Sequence, residues 1–342
     1  MDETAANHVP ARRGPAGAGN RHKLPPRAGR FAPGAGLCLA GCLVAVLVGC
    51  QPTVEQNALA GKPAAGGRVR VLATTGMIAD VARIVGGEDV EVVALMGPGV
   101  DPHLYQPVAR DQARLSAAQL VLYNGLHLEG KMGDLFESLA KSRRVVAVSR
   151  DISQDRLLKW ADSAGMHDPH IWFDVKLWQE VVRTITGALA ELDPTHVVAY
   201  EKRARDYLAE LDRLDAYCHK RAGELEPAQR VLITSHDAFH YFGRAYGFEV
   251  VGIQGISTDS EAGLKAVTDA VDLIQARRVR AIFPESSVSR AAIERVALDS
   301  GAVLGPELYS DALGSPDSSA GNYVGMIKTN IDQIVDALRR QP

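Results

Sequence analysis

Cysteine is scarce in this chain. Its 342 residues include four, and three of them, Cys38, Cys42 and Cys50, fall within the first 50 positions. Only Cys218 stands in the rest, so that part has no intrachain disulfide and no material for a zinc ribbon or a partnered cysteine nucleophile. A long apolar run is missing too. The uncharged stretch "GAGLCLAGCLVAVLVGC" at 34–50 is too short to span a bilayer comfortably. The local metallohydrolase motifs H-E-x-x-H and H-x-H-x-D-H are absent. There is no excess of positive charge: the whole chain carries −3, and residues 50–342 carry −7, with Lys+Arg falling from 38 to 32 and Asp+Glu from 41 to 39. Such an acidic body excludes the electrostatics of a nucleic-acid binder.

The positive charge that exists at the start is organised. Arg12, Arg13, Arg21, Lys23, Arg27 and Arg30 precede the apolar stretch, as in the basic and apolar regions of a secretory signal. The stretch closes on Leu47-Val48-Gly49-Cys50, which reads as a bacterial lipobox with Cys50 as the lipidated first residue of the mature chain. Leu39-Ala40-Gly41-Cys42 fits the same pattern but leaves little apolar run ahead of it. The expected layout is a signal peptide over 1–49 and a flexible Gly/Ala/Pro-rich tether over 50–67. This places the protein in the cell envelope, on a lipid anchor.

Strand-like and helical segments then alternate. Strands are expected at 68–75, 90–96, 120–125 and 143–149, and again at 230–235, 248–255, 280–286 and 302–310. Helices fall between them at 77–87, 109–118, 132–142, 263–278 and 291–301. This is an α/β fold of mostly parallel sheets. The middle differs. From Pro194 to Ala222 the apolar residues Val197, Tyr200, Ala204, Tyr207, Leu211, Leu214 and Cys218 recur every three or four positions. Asp193-Pro194 supplies a helix start. The spacing predicts one rod of about 42 Å between an N-terminal lobe at 68–193 and a C-terminal lobe at 223–342.

Eight histidines lie beyond position 50. His196 and His219 fall on the rod and are expected to face solvent. His240 follows His236 by four residues, but without the intervening glutamate of a hydrolytic zinc motif, so it is read as a helix-surface or supporting group. His103 and His236 follow expected strands, where ligands gather in open α/β sheets. His170 repeats the Asp-Pro-His context of His103, and each proline presents its histidine from a stiff turn. Asp311 follows the last strand-like run. The separations of 67, 66 and 75 residues draw two groups from each half. Ligands so dispersed suit capture of an ion between two lobes, whereas hydrolytic zinc sites usually take two ligands from one short motif.

Several stretches in one order resemble a known family: "GVDPHLYQP", "YNGLHLEGKM", "HDPHIWFDVKLW", "TSHDAFHYFGRAYGFEVVGIQGISTDSEAG", "IFPESSVS", "LYSDALG" and "NYVGMIKTNIDQIV". The chain is similar to the metal-binding receptors of bacterial ABC importers for zinc and manganese (cluster A-I, also called cluster 9), and in particular to the treponemal TroA type. The likeness covers about residues 68–340. It implies two pseudo-symmetric lobes joined by the long helix and metal ligands at His103, His170, His236 and Asp311. It implies His127 and Glu285 beside them as supporting groups. The protein would be a monomeric, non-enzymatic receptor delivering Zn²⁺ or Mn²⁺ to a membrane permease, periplasmic or on the outer face of the cytoplasmic membrane. Two features of the resemblance bear on the metal. His236 stands where manganese-restricted members carry glutamate. The His/Asp/Glu-rich loop of many zinc-specific members is absent from 125–170. Competing readings are a cell-envelope metallohydrolase and a receptor for a metal chelate such as a siderophore.

Overall fold

The computed structural model describes residues 67–160 and 165–339. The leader, almost all of the tether, Cys42 and Cys50 lie outside the described residues.

The N-terminal lobe begins with β1 (Val69–Ala73), α1 (Gly76–Gly86) and β2 (Val90–Ala94). It continues with α2 (Ala109–Ala117), β3 (Leu120–Tyr123), α3 (Gly133–Ala140) and β4 (Arg144–Ala147). The four strands form one parallel sheet in the order β2-β1-β3-β4. The pleat sends alternate side chains to opposite faces. Val69, Val71 and Ala73 join α1 in one core, while Leu72 and Val121 join Leu115 of α2 and Phe136 of α3 in another. A parallel sheet covered on both faces has apolar residues in both registers, as these strands do.

Two helices follow. The first, α4 (Val175–Leu192), starts at Asp174, whose side chain accepts from the backbone N–H groups of Lys176 and Leu177. The second, α5 (Val197–Ala222), is the expected rod, 26 residues and about 39 Å long. It begins three residues later than Pro194 because Pro194–His196 form a 3₁₀ turn. Asp193 accepts from the ring of His196 at 2.6 Å and the hydroxyl of Tyr200 at 2.9 Å. The stripe from Tyr200 to Cys218 is buried as the spacing requires. Both ends of α5 are fastened. Arg203 holds Asp89 and the Gly86 carbonyl in the first lobe. Arg221 grips Asp332 and Asp336 at the other end.

The C-terminal lobe contains β5 (Val231–His236), α6 (His240–Tyr246), β6 (Glu249–Gln254), α7 (Leu264–Arg277), β7 (Ala281–Ile282), α8 (Ala291–Ser300), β8 (Val303–Leu304) and α9 (Tyr323–Arg339). Strands β5 and β6 pair in parallel, as do β7 and β8. A bridge from Thr234 to Phe283, with the Phe283 N–H donating to the Ile233 carbonyl at 2.9 Å, connects the two pairs. The sequence of neighbours, β6-β5-β7-β8, repeats that of the first lobe. The last two strands are far shorter than the 280–286 and 302–310 expected. Pro284 and Pro306 have no N–H to donate and interrupt the ladder, which resumes only as a bridge between Glu285 and Leu308.

The lobes share one apolar core. It runs from β1 and α1 through α4 and α5 to Phe239, Tyr323 and Ile331. Phe173 stacks on Phe239 and Trp178 on Tyr323, with ring centroids 4.2 and 5.0 Å apart. Two polar groups of the same seam are bonded across it. Trp172 Nε1 donates to the Ser310 carbonyl, and the Tyr323 hydroxyl donates to the Trp172 carbonyl. Although α9 ends the second half of the chain, it lies on α5 and α1, and the Tyr323 N–H donates to Asp80 of α1.

Candidate metal centre

The loops leaving the carboxyl ends of both sheets converge on one small space. His236 is the last residue of β5, and His103 comes from the loop after β2. His170 closes the long segment after β4, and Asp311 lies beyond β8. All four are buried. One ligand atom from each lies within 4.8 Å of all the others. The Nε2 of His170 is 3.3 Å from that of His103 and 3.4 Å from that of His236. It is 3.5 Å from Asp311 Oδ1, and His236 Nε2 is 3.5 Å from Asp311 Oδ2. Ligands on a tetrahedron around zinc at 2.0–2.1 Å stand about 3.3–3.4 Å apart. The spacing therefore fits a single small divalent ion. Asp311 straddles two histidines and can offer one oxygen or both, and its Oδ1 is buried with no hydrogen-bond partner.

Each histidine is oriented from behind. In both Asp-Pro-His turns the aspartate accepts from the backbone N–H two residues on, Asp101 from His103 at 2.8 Å and Asp168 from His170 at 2.9 Å. Asp168 also meets His170 Nδ1 at 2.7 Å, which fixes the tautomer and turns Nε2 to the centre. Glu285 does the same for His236, with Oε2 2.5 Å from Nδ1 and Oε1 accepting the His236 N–H at 2.8 Å. Ser287 donates to Asp311 Oδ2 at 3.0 Å. The first lobe carries a related device. Glu129, buried beyond β3, accepts from the Thr74 hydroxyl and the Asn124 N–H at 2.7 Å each. The Asn124 side chain then donates to the Pro169 carbonyl at 2.9 Å, just before His170.

The electrostatics suit a cation. Burial depresses His103 to about 3, so its imidazole is neutral and ready to bind. Burial also works against a charged His236, but the carboxylates of Glu285 and Asp311 outweigh it and raise its pKa well above the ordinary value. Burial would raise Asp311, yet the surrounding imidazoles, His236 first, hold it far below the usual carboxylate range. Without metal, the carboxylates of Glu285 and Asp311 favour a proton on His236.

Residues 71–337 match the family described as zinc-uptake complex component A, periplasmic. The chain belongs to this family. It is 46% identical over 282 residues to the zinc-binding protein TroA of Treponema pallidum (strain Nichols), covering 81% of this chain and 91% of that one. It is 42% identical over 285 residues to the manganese-binding lipoprotein MntA of Bacillus subtilis (strain 168), covering 82% and 92%. The solved structure of the periplasmic zinc-binding protein TroA from Treponema pallidum superposes with a TM-score of 0.78, over 80% of this chain and all of that one. The motif-based resemblance and the two-lobed α/β fold it implies are thus shown.

His127 does not take the supporting position expected within the zinc-uptake fold. It is exposed, with a left-handed φ of 64°, on the wall of a separate cavity of about 520 Å³ beside Phe136, Met166 and His167. The buried ionisable side chain of that motif is Glu129, two residues on. His196 and His219 lie outward, as expected. His240 opens α6 and sits 3.5 Å from Asp237, so it and His236 do not share a helix face. Asp168, Asn124, Glu129 and Thr258 escaped the sequence reading. Asp168 could have been found, because the Asp-Pro-His triplet contains it.

Proposed function

We propose that this protein is the extracytoplasmic substrate-binding component of an ABC importer, capturing Zn²⁺ or Mn²⁺ between its lobes and delivering it to a permease. The observation that carries this is the convergence of His103, His170, His236 and Asp311, buried and at ion-sized spacing. Three imidazoles and a carboxylate suit zinc and accept manganese, the metals in the names of TroA and MntA; more distant relatives, 29% identical, are named for iron. The protein binds and releases its metal without chemistry. Four protein ligands leave no open coordination position of the kind a catalytic zinc site keeps. It works as a monomer in the cell envelope, held by lipid at Cys50. Among the described residues no helix is long and apolar enough to cross a membrane.

Equilibrium dialysis of the chain from Gln51 onward should give about one metal per molecule. His170→Ala should lose it, and an unchanged stoichiometry would defeat the ligand assignment. Fractionated cells should show Cys50→Ala moving from membrane to soluble fraction.

A further inference from the structure

The three histidines are secured in different ways. His170 and His236 each have a carboxylate on Nδ1, Asp168 and Glu285, supplied by their own lobe. His103 is held through its backbone, by Asp101 Oδ1. The other oxygen of Asp101 accepts at 2.6 Å from the hydroxyl of Thr258, 157 positions away in the opposite lobe. Thr258 is buried, in the loop 255–263 between β6 and α7. The Gln254 side chain donates to the Thr258 carbonyl at 3.0 Å and to that of Ser260, which fixes the loop's shape. An exposed ion pair from Lys131 to Asp259, 2.9 Å long, fastens the same loop to the first lobe.

We propose that Thr258 is a positioning residue for His103. Its hydroxyl, acting through Asp101, aligns the first Asp-Pro-His turn and ties the departure of His103 from the metal to movement of the 255–263 loop. This rests on the metal-capture reading above. The hydroxyl–carboxylate bond is short and charge-assisted, the stronger kind of hydrogen bond. The Lys131–Asp259 pair is solvent-exposed and adds little. When the loop lifts, Asp101 loses its partner across the lobes and His103 keeps only the bond within its own turn. His170, His236 and Asp311 keep their supports, because none of these comes from the loop. Release therefore starts at His103, and one loop controls it.

The test uses the full chain in detergent, loaded with Zn²⁺ and mixed rapidly with a colorimetric chelator. Thr258→Val removes the hydroxyl and keeps the shape. It should retain one metal per chain and release it about tenfold faster than wild type, and Thr258→Ala should match it. Thr258→Ser should restore the wild-type rate, and Lys131→Met should leave it within about twofold. Wild-type release from Thr258→Val, or no rescue by serine, would overturn the assignment. So would acceleration by Lys131→Met as large as that by valine, because loop docking in general would then be the cause. A wild-type chain that takes up no zinc would instead defeat the capture reading itself.

Discussion

Glu285 does two things to His236: it orients the ring, and it keeps a proton on it until metal arrives. Metal must displace that proton, so binding near neutral pH should release about one proton per ion. Calorimetry in buffers of different ionisation enthalpy measures this. Glu285→Gln should weaken binding by about 10- to 100-fold and shrink the proton release, since a neutral amide no longer raises His236. An unchanged proton count would separate the carboxylate from the titration. In the metal-free protein the sign is definite. A raised folded pKa stabilises the fold fully below 6.5, the ordinary histidine value, and that contribution is lost as pH climbs through the folded value. His103 acts oppositely: its lowered pKa costs stability as pH falls from 6.5 towards about 3. The substitution His103→Asn should flatten that acid limb in urea titrations of the metal-free protein. The four converging residues were legible because each follows a strand or repeats a three-residue pattern. Their supports were less so. Glu285 lies 49 positions from His236 and was reached only through the family resemblance, while Thr258, 157 from Asp101, was not reached at all, because no local period links such pairs.

Helix α5 was the most readable element, since a stripe of apolar residues repeated over 26 positions leaves few alternatives. Leu211 lies at its middle, fully buried in the core that both lobes share. Leu211→Ala should cost about 3 kcal/mol in urea unfolding while metal stoichiometry stays at one per chain. A stability change near zero would contradict the placement of this helix in the common core. Helix α4 was hidden in the sequence by the short apolar run just ahead of it, Ile171-Trp172-Phe173, which does not distinguish strand from helix and forms a 3₁₀ turn. The decisive signal was Asp174, whose side chain caps the helix. Helix α9 carried a comparable mark in Asn322, which accepts from the Gly325 N–H at 2.8 Å. Strands β7 and β8 erred the other way. Their residues favour extended backbone, but Pro284 and Pro306 deny the ladder its donors.

Across the whole molecule, the seam between lobes is filled by buried aromatic side chains. Phe173, Trp178, Phe239 and Tyr323 are fully buried there, and α9 crosses it to reach α1. The metal-free chain should therefore unfold calorimetrically as one transition, with calorimetric and van't Hoff enthalpies equal. Two resolved peaks would mean that the lobes fold independently. A seam of this kind also limits what the protein can tell a permease. A receptor whose halves swing apart announces its cargo by a change of outline. Here stacked aromatic rings forbid a wide swing, so the difference between loaded and empty has to be written in the rim, in the turn at 101–103 and the loop at 255–263. Whatever reads this molecule reads a few loops at close range.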